Sequence, residues 1–152
     1  MKGIKKLLRR LTSSISRAGA NRISKKAAAV SESEICLMYA LDDGKPHSQR
    51  QIADEWKVPR TTLNTIVKRW EKDGLLEMRK IAGKRREKEI CLTDKGAEKV
   101  KNTLAENYDA ENSALELTIE KYSDSFIDAL EFYADTLKEQ QEKLKRKKRN
   151  KK

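Results

Sequence analysis

Apolar residues recur at helical spacing along most of the chain, and one short stretch alternates instead. Ile4, Leu7, Leu8, Leu11 and Ile15 fall three or four apart, with Lys2, Lys5, Lys6, Arg9 and Arg10 on the other positions. That period predicts an amphipathic basic helix. Ser31 with Glu34 three residues on forms a capping box. Ile35, Met38 and Leu41 then line a helix that Asp42-Asp43-Gly44 and Pro46 bring to an end. Ser48 suits the cap of a further helix, Gln49 to Lys57, anchored by Ile52 and Trp56, with Ala53 small enough for a close crossing. At Val58-Pro59 the proline pushes its predecessor to an extended conformation and suits the first turn of a new helix. That helix, Pro59 to Asp73, carries Leu63, Ile66, Val67 and Trp70 on one face, and Gly74 closes it in a left-handed cap.

Alternation follows. Leu76 and Met78 alternate with Glu77 and Arg79, and Ile90 and Leu92 with Glu89 and Cys91, which predicts two short strands. Gly83-Lys84-Arg85-Arg86 between them makes a basic hairpin tip. Thr93 caps a long helix striped by Val100, Leu104, Tyr108, Leu115, Ile119 and Tyr122. Ser123 starts a second one, where Phe126, Leu130, Tyr133, Leu137 and Leu144 form a heptad-like seam that requires a partner helix. The expected fold is mainly α with a small β-hairpin: a winged helix-turn-helix lobe plus long helices forming a dimerisation region. Residues 1–29 read as a basic helical dimer arm, 30–96 as the winged lobe, 97–142 as dimerisation helices and 143–152 as a disordered basic tail.

Composition strengthens the case for assembly. Apolar residues are 37% and charged residues 39% of 152, leaving little apolar surface to offset chain entropy in a monomer. A homodimer sharing one core relieves that shortage. The net charge of +11 is unevenly spread. Residues 1–26 hold nine basic residues and no acid, and residues 143–152 hold eight and none. Residues 45–101 hold 16 basic against nine acidic residues, and residues 102–142 two against 11. A basic patch on a compact lobe is the electrostatic footprint of a nucleic-acid binder.

Other chemistry is thinly represented. Cys36, Cys91 and the single His47 supply neither a disulfide framework nor a metal site. Cys36 reads as a buried structural thiol ahead of a redox switch, and His47 as an exposed loop residue. No glycine-rich phosphate loop, Cys–His pair or Ser–His–Asp signature is present, so no catalytic residues and no cofactor are expected. No apolar run reaches the roughly 18–20 residues that span a bilayer, and a reducing cytoplasm is the expected location. For the basic first helix, docking on a partner subunit leads over a membrane-surface helix and a mitochondrial-type presequence.

Residues 30–96 resemble the MarR family of winged-helix regulators. Gln51-Ile52-Ala53 stands where that family has a polar residue followed by Leu and Ala. Val58 through Leu75 follows its recognition helix and closing Leu-Glu-Gly-Leu pattern, with Trp70 in place of the usual Leu. Arg86, Ile90, Leu92-Thr93 and Gly96 match the wing arginine and the exit from the wing. Two positions depart from the pattern. Lys84 replaces the usual Asp two residues before the wing arginine, and Pro59 replaces a small polar cap. The resemblance implies a dimeric regulator of double-stranded DNA. Family members often bind small aromatic or anionic effectors between the dimer helices and the lobe, where Tyr39, Tyr108 and the first helix are the candidates here.

The candidate interface follows from groove chemistry. On the helix after Pro59, Arg60 can bond guanine bidentately and Asn64 adenine, each good pair discriminating by about 1–3 kcal/mol. Thr61, Thr62 and Thr65 suit thymine methyls or phosphates. Arg85 or Arg86 suits a narrow minor groove. Ser48, Gln49, Lys68, Lys84 and Lys88 suit phosphates, which position without specifying. The leading function is a sequence-specific transcriptional regulator, most simply a repressor. A winged-helix protein-interaction module, or a DNA-associated architectural or replication protein, are the alternatives.

Overall fold

The computed structural model describes residues 2–20, 29–80 and 88–149. Helix α1 spans Lys2–Ala20, α2 Glu32–Leu41, α3 Gln49–Glu55, α4 Arg60–Lys72, α5 Asp94–Tyr122 and α6 Ser125–Arg149. Strands β1 (His47–Ser48), β2 (Leu76–Lys80) and β3 (Lys88–Leu92) form an antiparallel sheet in the order β1-β3-β2. The architecture is a winged helix with long flanking helices, as expected. The chain divides into two compact units, Met1–Tyr108 and Asp109–Lys152, with α5 running through the division.

The core of the first unit comes from the apolar stripes of four helices and the inward face of the hairpin. Leu37, Met38, Leu41, Ile52, Leu63, Val67, Trp70, Ile90, Val100 and Leu104 are its largest fully buried side chains. Each such burial contributes about 1.5–3 kcal/mol, opposed by the conformational entropy lost on ordering. Ile35, Ala53, Ile66, Leu75 and Leu76 complete the cluster. In α1 Leu11 is partly buried, but Ile4, Leu7, Leu8 and Ile15 stay open, Ile4 at 64% and Leu7 at 61% exposure.

Local chemistry departs from expectation at six places. Ser31 Oγ accepts the Glu34 amide at 3.3 Å, but the Glu34 carboxylate does not return to close the box. It is buried and accepts a hydrogen bond from Trp70 Nε1 at 2.7 Å and an ion pair from Arg69. A carboxylate taken out of water needs such partners, and here they come from α4. Pro59 sits at the N-cap with φ −56° and ψ 132°, so α4 begins one residue later. Helix α3 stops at Glu55 because Lys57 turns left-handed at φ 54°, leaving Trp56 39% exposed rather than as a core anchor. His47 lies in β1 opposite Ile90, partly buried, and its Nε2 meets both oxygens of Asp43 at 2.9 and 3.0 Å. Cys36 is only partly buried, whereas Cys91, assigned by alternation to the outer face, is buried. Finally, residues 143–149 of the supposed disordered tail continue α6 as helix.

Gly74 does take the left-handed conformation, at φ 70°. The chain then turns back at once: Leu75 N donates to Trp70 O at 2.8 Å, and Leu75 O accepts from Thr93 N at 3.1 Å. Thr93 Oγ1 donates to Gly74 O at 2.7 Å and accepts from Gly96 N at 3.1 Å, capping α5 while tying it to the end of α4. The root of the wing is thereby fixed to α4.

Candidate nucleic-acid interface

Helix α4 is split cleanly by burial. Leu63, Ile66, Val67 and Trp70 are buried, and Arg60, Thr61, Thr62, Asn64, Thr65 and Lys68 are exposed. Side chains four apart share a helix side, so Arg60, Asn64 and Lys68 form one outward row. The buried face packs against α2, α3 and β2, which sets the rotation of the helix and hence where that row points.

Several side chains of the exposed face have neighbours that shape its chemistry. Arg60 reaches back to Asp54 on α3, Nη2 to Oδ1 at 3.3 Å, and Arg50 approaches the same carboxylate at 3.8 Å. Both pairs are solvent-exposed, so each holds its arginine by well under about 1 kcal/mol and releases it readily. Thr65 Oγ1 donates to Thr61 O at 3.0 Å, which leaves the hydroxyl an acceptor and its methyl outward-capable. Ser48 caps α3 through Oγ accepting Gln51 N at 3.1 Å. Gln49 is partly buried, its amide on Met78 Sδ at 3.8 Å. Pro59 offers α4 no side-chain acceptor, so the leading amides of the helix lack a capping bond.

The wing adds charge. Lys80 pairs with Lys88 at the end of the β2–β3 ladder nearest residues 81–87, and like charges directly opposite each other repel. Lys84, Arg85 and Arg86 lie outside the described residues. Lower on the hairpin, Arg79 donates to Glu77 at 3.0 Å through Nε and holds that carboxyl below its usual range; Cys91 Sγ, 3.5 Å from the same carboxylate, lowers it further. Burial, then that same carboxylate, pushes the Cys91 thiol up. A thiol raised in this way is a weaker source of thiolate. Among the described residues no group of three or more His, Cys, Asp or Glu could hold a metal ion.

Sequence reasoning missed two groups that orient this surface. Glu34 and Arg69 bind each other, and Glu34 fixes the indole of Trp70 from a helix 36 residues away in sequence. Lys99 on α5 covers the same ring, its Nζ 5.6 Å from the centroid. The legible signal was Trp70 itself, since a buried indole N–H requires an acceptor.

Residues 30–87 match the model of the MarR family. The match covers the winged-helix lobe, less than half of the chain. A likeness of fold extends over the flanking helices as well. A MarR family transcriptional regulator from Silicibacter pomeroyi is 20% identical, with 86% of this chain and 94% of that one covered at a TM-score of 0.67. MepR of S. aureus, solved in a DNA-binding conformation, is 15% identical, covering 88% and 98% at 0.67. The PcaV transcriptional regulator from Streptomyces coelicolor, solved with its natural ligand, is 20% identical, covering 85% and 89% at 0.56. No curated protein sequence matches the chain. Among the described residues no helix is long and apolar enough to cross a membrane.

Proposed function

We propose that this MarR-type protein is a homodimeric, sequence-specific regulator of transcription, most simply a repressor, with no catalytic role. The observation that carries this reading is the α4 face. Its polar row is held outward by four buried residues, directly after a helix-turn and beside a lysine-ended hairpin. An α-helix with such a row fits the major groove. Arg60 and Asn64 read base edges, with Thr61, Thr62 and Thr65 beside them. Lys68, Lys88, Ser48 and Gln49 meet phosphates, as do Lys84 and one of Arg85 and Arg86, while the other enters the minor groove. A backbone phosphate would satisfy the uncapped amides at the start of α4 and relieve the Lys80–Lys88 repulsion.

Binding-site selection at one fixed salt concentration tests the reading. Asn64→Ala is expected to relax preference at one or two base positions per half-site while leaving nonspecific affinity and stability nearly unchanged. Lys68→Ala is expected to weaken all sequences about equally. Identical selected motifs for wild type, Asn64→Ala and Arg60→Ala would sink the assignment of α4 to the major groove.

Assembly supports the same reading. Ile4, Leu7, Leu8 and Ile15 of α1, and Ile127, Leu130 and Leu137 of α6, are between 37% and 64% exposed. Burying such side chains against a second copy stabilises a dimer by roughly 1.5–3 kcal/mol each at full burial. A two-fold dimer places two recognition helices about 34–36 Å apart, one turn of DNA. Sedimentation at micromolar concentration should show twice the chain mass; a stable monomer would remove the dimer. A small aromatic or anionic effector belongs to this reading too, since PcaV carries its natural ligand in the solved structure. Tyr39 here stacks on Trp56 at 6.1 Å and meets Tyr108 edge-on at 5.4 Å.

A further inference from the structure

The C-terminal end of α6 carries charge that the winged lobe does not use. Between Ser125 and Glu142 the helix holds five acidic residues and one lysine. From Lys143 to Arg149 six of seven residues are basic, and all seven are exposed. Among the described residues none of these six has an ion-pair partner. At 100° per residue they surround the helix instead of marking one side. Repulsion follows between Lys143 and Lys147, Lys145 and Arg149, and the three-apart pairs. The negative end of the helix dipole offsets only part of it. Such a segment is under a standing electrostatic penalty that a polyanion removes.

We propose that residues 143–149 form a second DNA-binding element, one that grips the phosphate backbone without reading sequence. The inference rests on the reading of the lobe as a DNA binder. Charge density favours duplex DNA as the occupant. Seven helical residues span about 10 Å, and that length of duplex carries about six phosphates. The acidic stretch of a second copy is a poorer match: 11 acids over residues 102–142 amount to one per about 6 Å of helix. Insertion into a membrane surface needs an apolar face, and Leu144 is the sole apolar residue of the segment. Linked to a sequence-reading lobe, such an element raises affinity for every sequence and holds the protein near DNA between specific encounters.

The test uses the full chain with Lys143, Lys145, Arg146, Lys147, Lys148 and Arg149 all replaced by Gln, a residue of similar helix propensity. Affinity for the selected site and for random duplex is measured over a salt series. One side of a helix meets a duplex at a time, so about three contacts should vanish and the salt slope should flatten by about 2–3 units. Affinity should fall about tenfold or more on both DNAs, with the selected motif unchanged. An unchanged slope overturns the proposal, as does a variant that loses only its dimer mass in sedimentation. A chain ending at residue 142 gives the same readout should the sixfold variant fold poorly. Failure of the lobe reading looks different: wild type would then select no motif, whatever the tail does to the slope.

Discussion

Gly96→Ala is expected to cost at least about 3 kcal/mol and to lower the melting temperature by roughly 10 °C. A Cβ at this position would overlap the carbonyl oxygen of Leu75 outright and lie 2.8 Å from its carbon and 3.2 Å from Leu92 Cδ2. The oxygen and carbon are backbone and cannot swing aside. Relief requires sliding α5 away from the end of α4, and the bonds joining them include those of Thr93 to Leu75 O and to Gly74 O and of Lys95 Nζ to Asp73 O. Losing such bonds costs about 0.5–1.5 kcal/mol each, more where a polar group is left buried. Val100 and Leu104, fully buried on the same helix, would move with it. Alanine's better helix propensity gives back only about 1 kcal/mol. The clash therefore wins, out of a total stability of about 5–15 kcal/mol. Thermal denaturation followed by circular dichroism checks it. A Gly96→Ala variant melting at or above the wild-type temperature would mean that α5 does not pack on the Leu75 carbonyl.

The second large effect concerns Glu34 and Trp70. Trp70→Leu should destabilise by about 2–4 kcal/mol. It empties part of a fully buried site and removes the indole N–H that Glu34 accepts. Glu34→Leu alone should cost about 1–3 kcal/mol, because it strands that N–H in the core. The double variant should cost less than the sum by about 1–2 kcal/mol, since removing both partners leaves neither unsatisfied. Urea denaturation of the four proteins measures this directly. Additivity within about 0.5 kcal/mol would show that the bond carries no coupling and that Trp70 acts by volume alone.

This pair marks where reading the chain stops being enough. Only half of the capping box forms: Ser31 caps α2 as its position requires, because a cap bond spans three residues. The destination of the Glu34 side chain depends on a helix 36 residues on, and nothing local names it. Trp56 shows the same limit. Its spacing suited a core anchor, but the left-handed turn at Lys57 ends α3 and leaves the ring stacked on Tyr39 near the surface. Cys91 alternates outward yet is buried, its thiol turned to Glu77 across the ladder. Strand β1, two residues long, has no period to detect, and it exists only because β3 offers it an edge.

The helix-turn-helix and its outward row were legible from the residues alone. A 3.6-residue period separates Leu63, Ile66, Val67 and Trp70 from Arg60, Asn64 and Lys68, and a left-handed position after a helix calls for Gly74. Burial then follows that period with no further information. How that row is held depends on packing between elements. The Glu34–Arg69–Trp70 contacts, the approach of Gly96 to Leu75 and the Arg60–Asp54 pair bring together residues from different elements. Their geometry depends on how whole helices cross, which no short stretch of residues specifies.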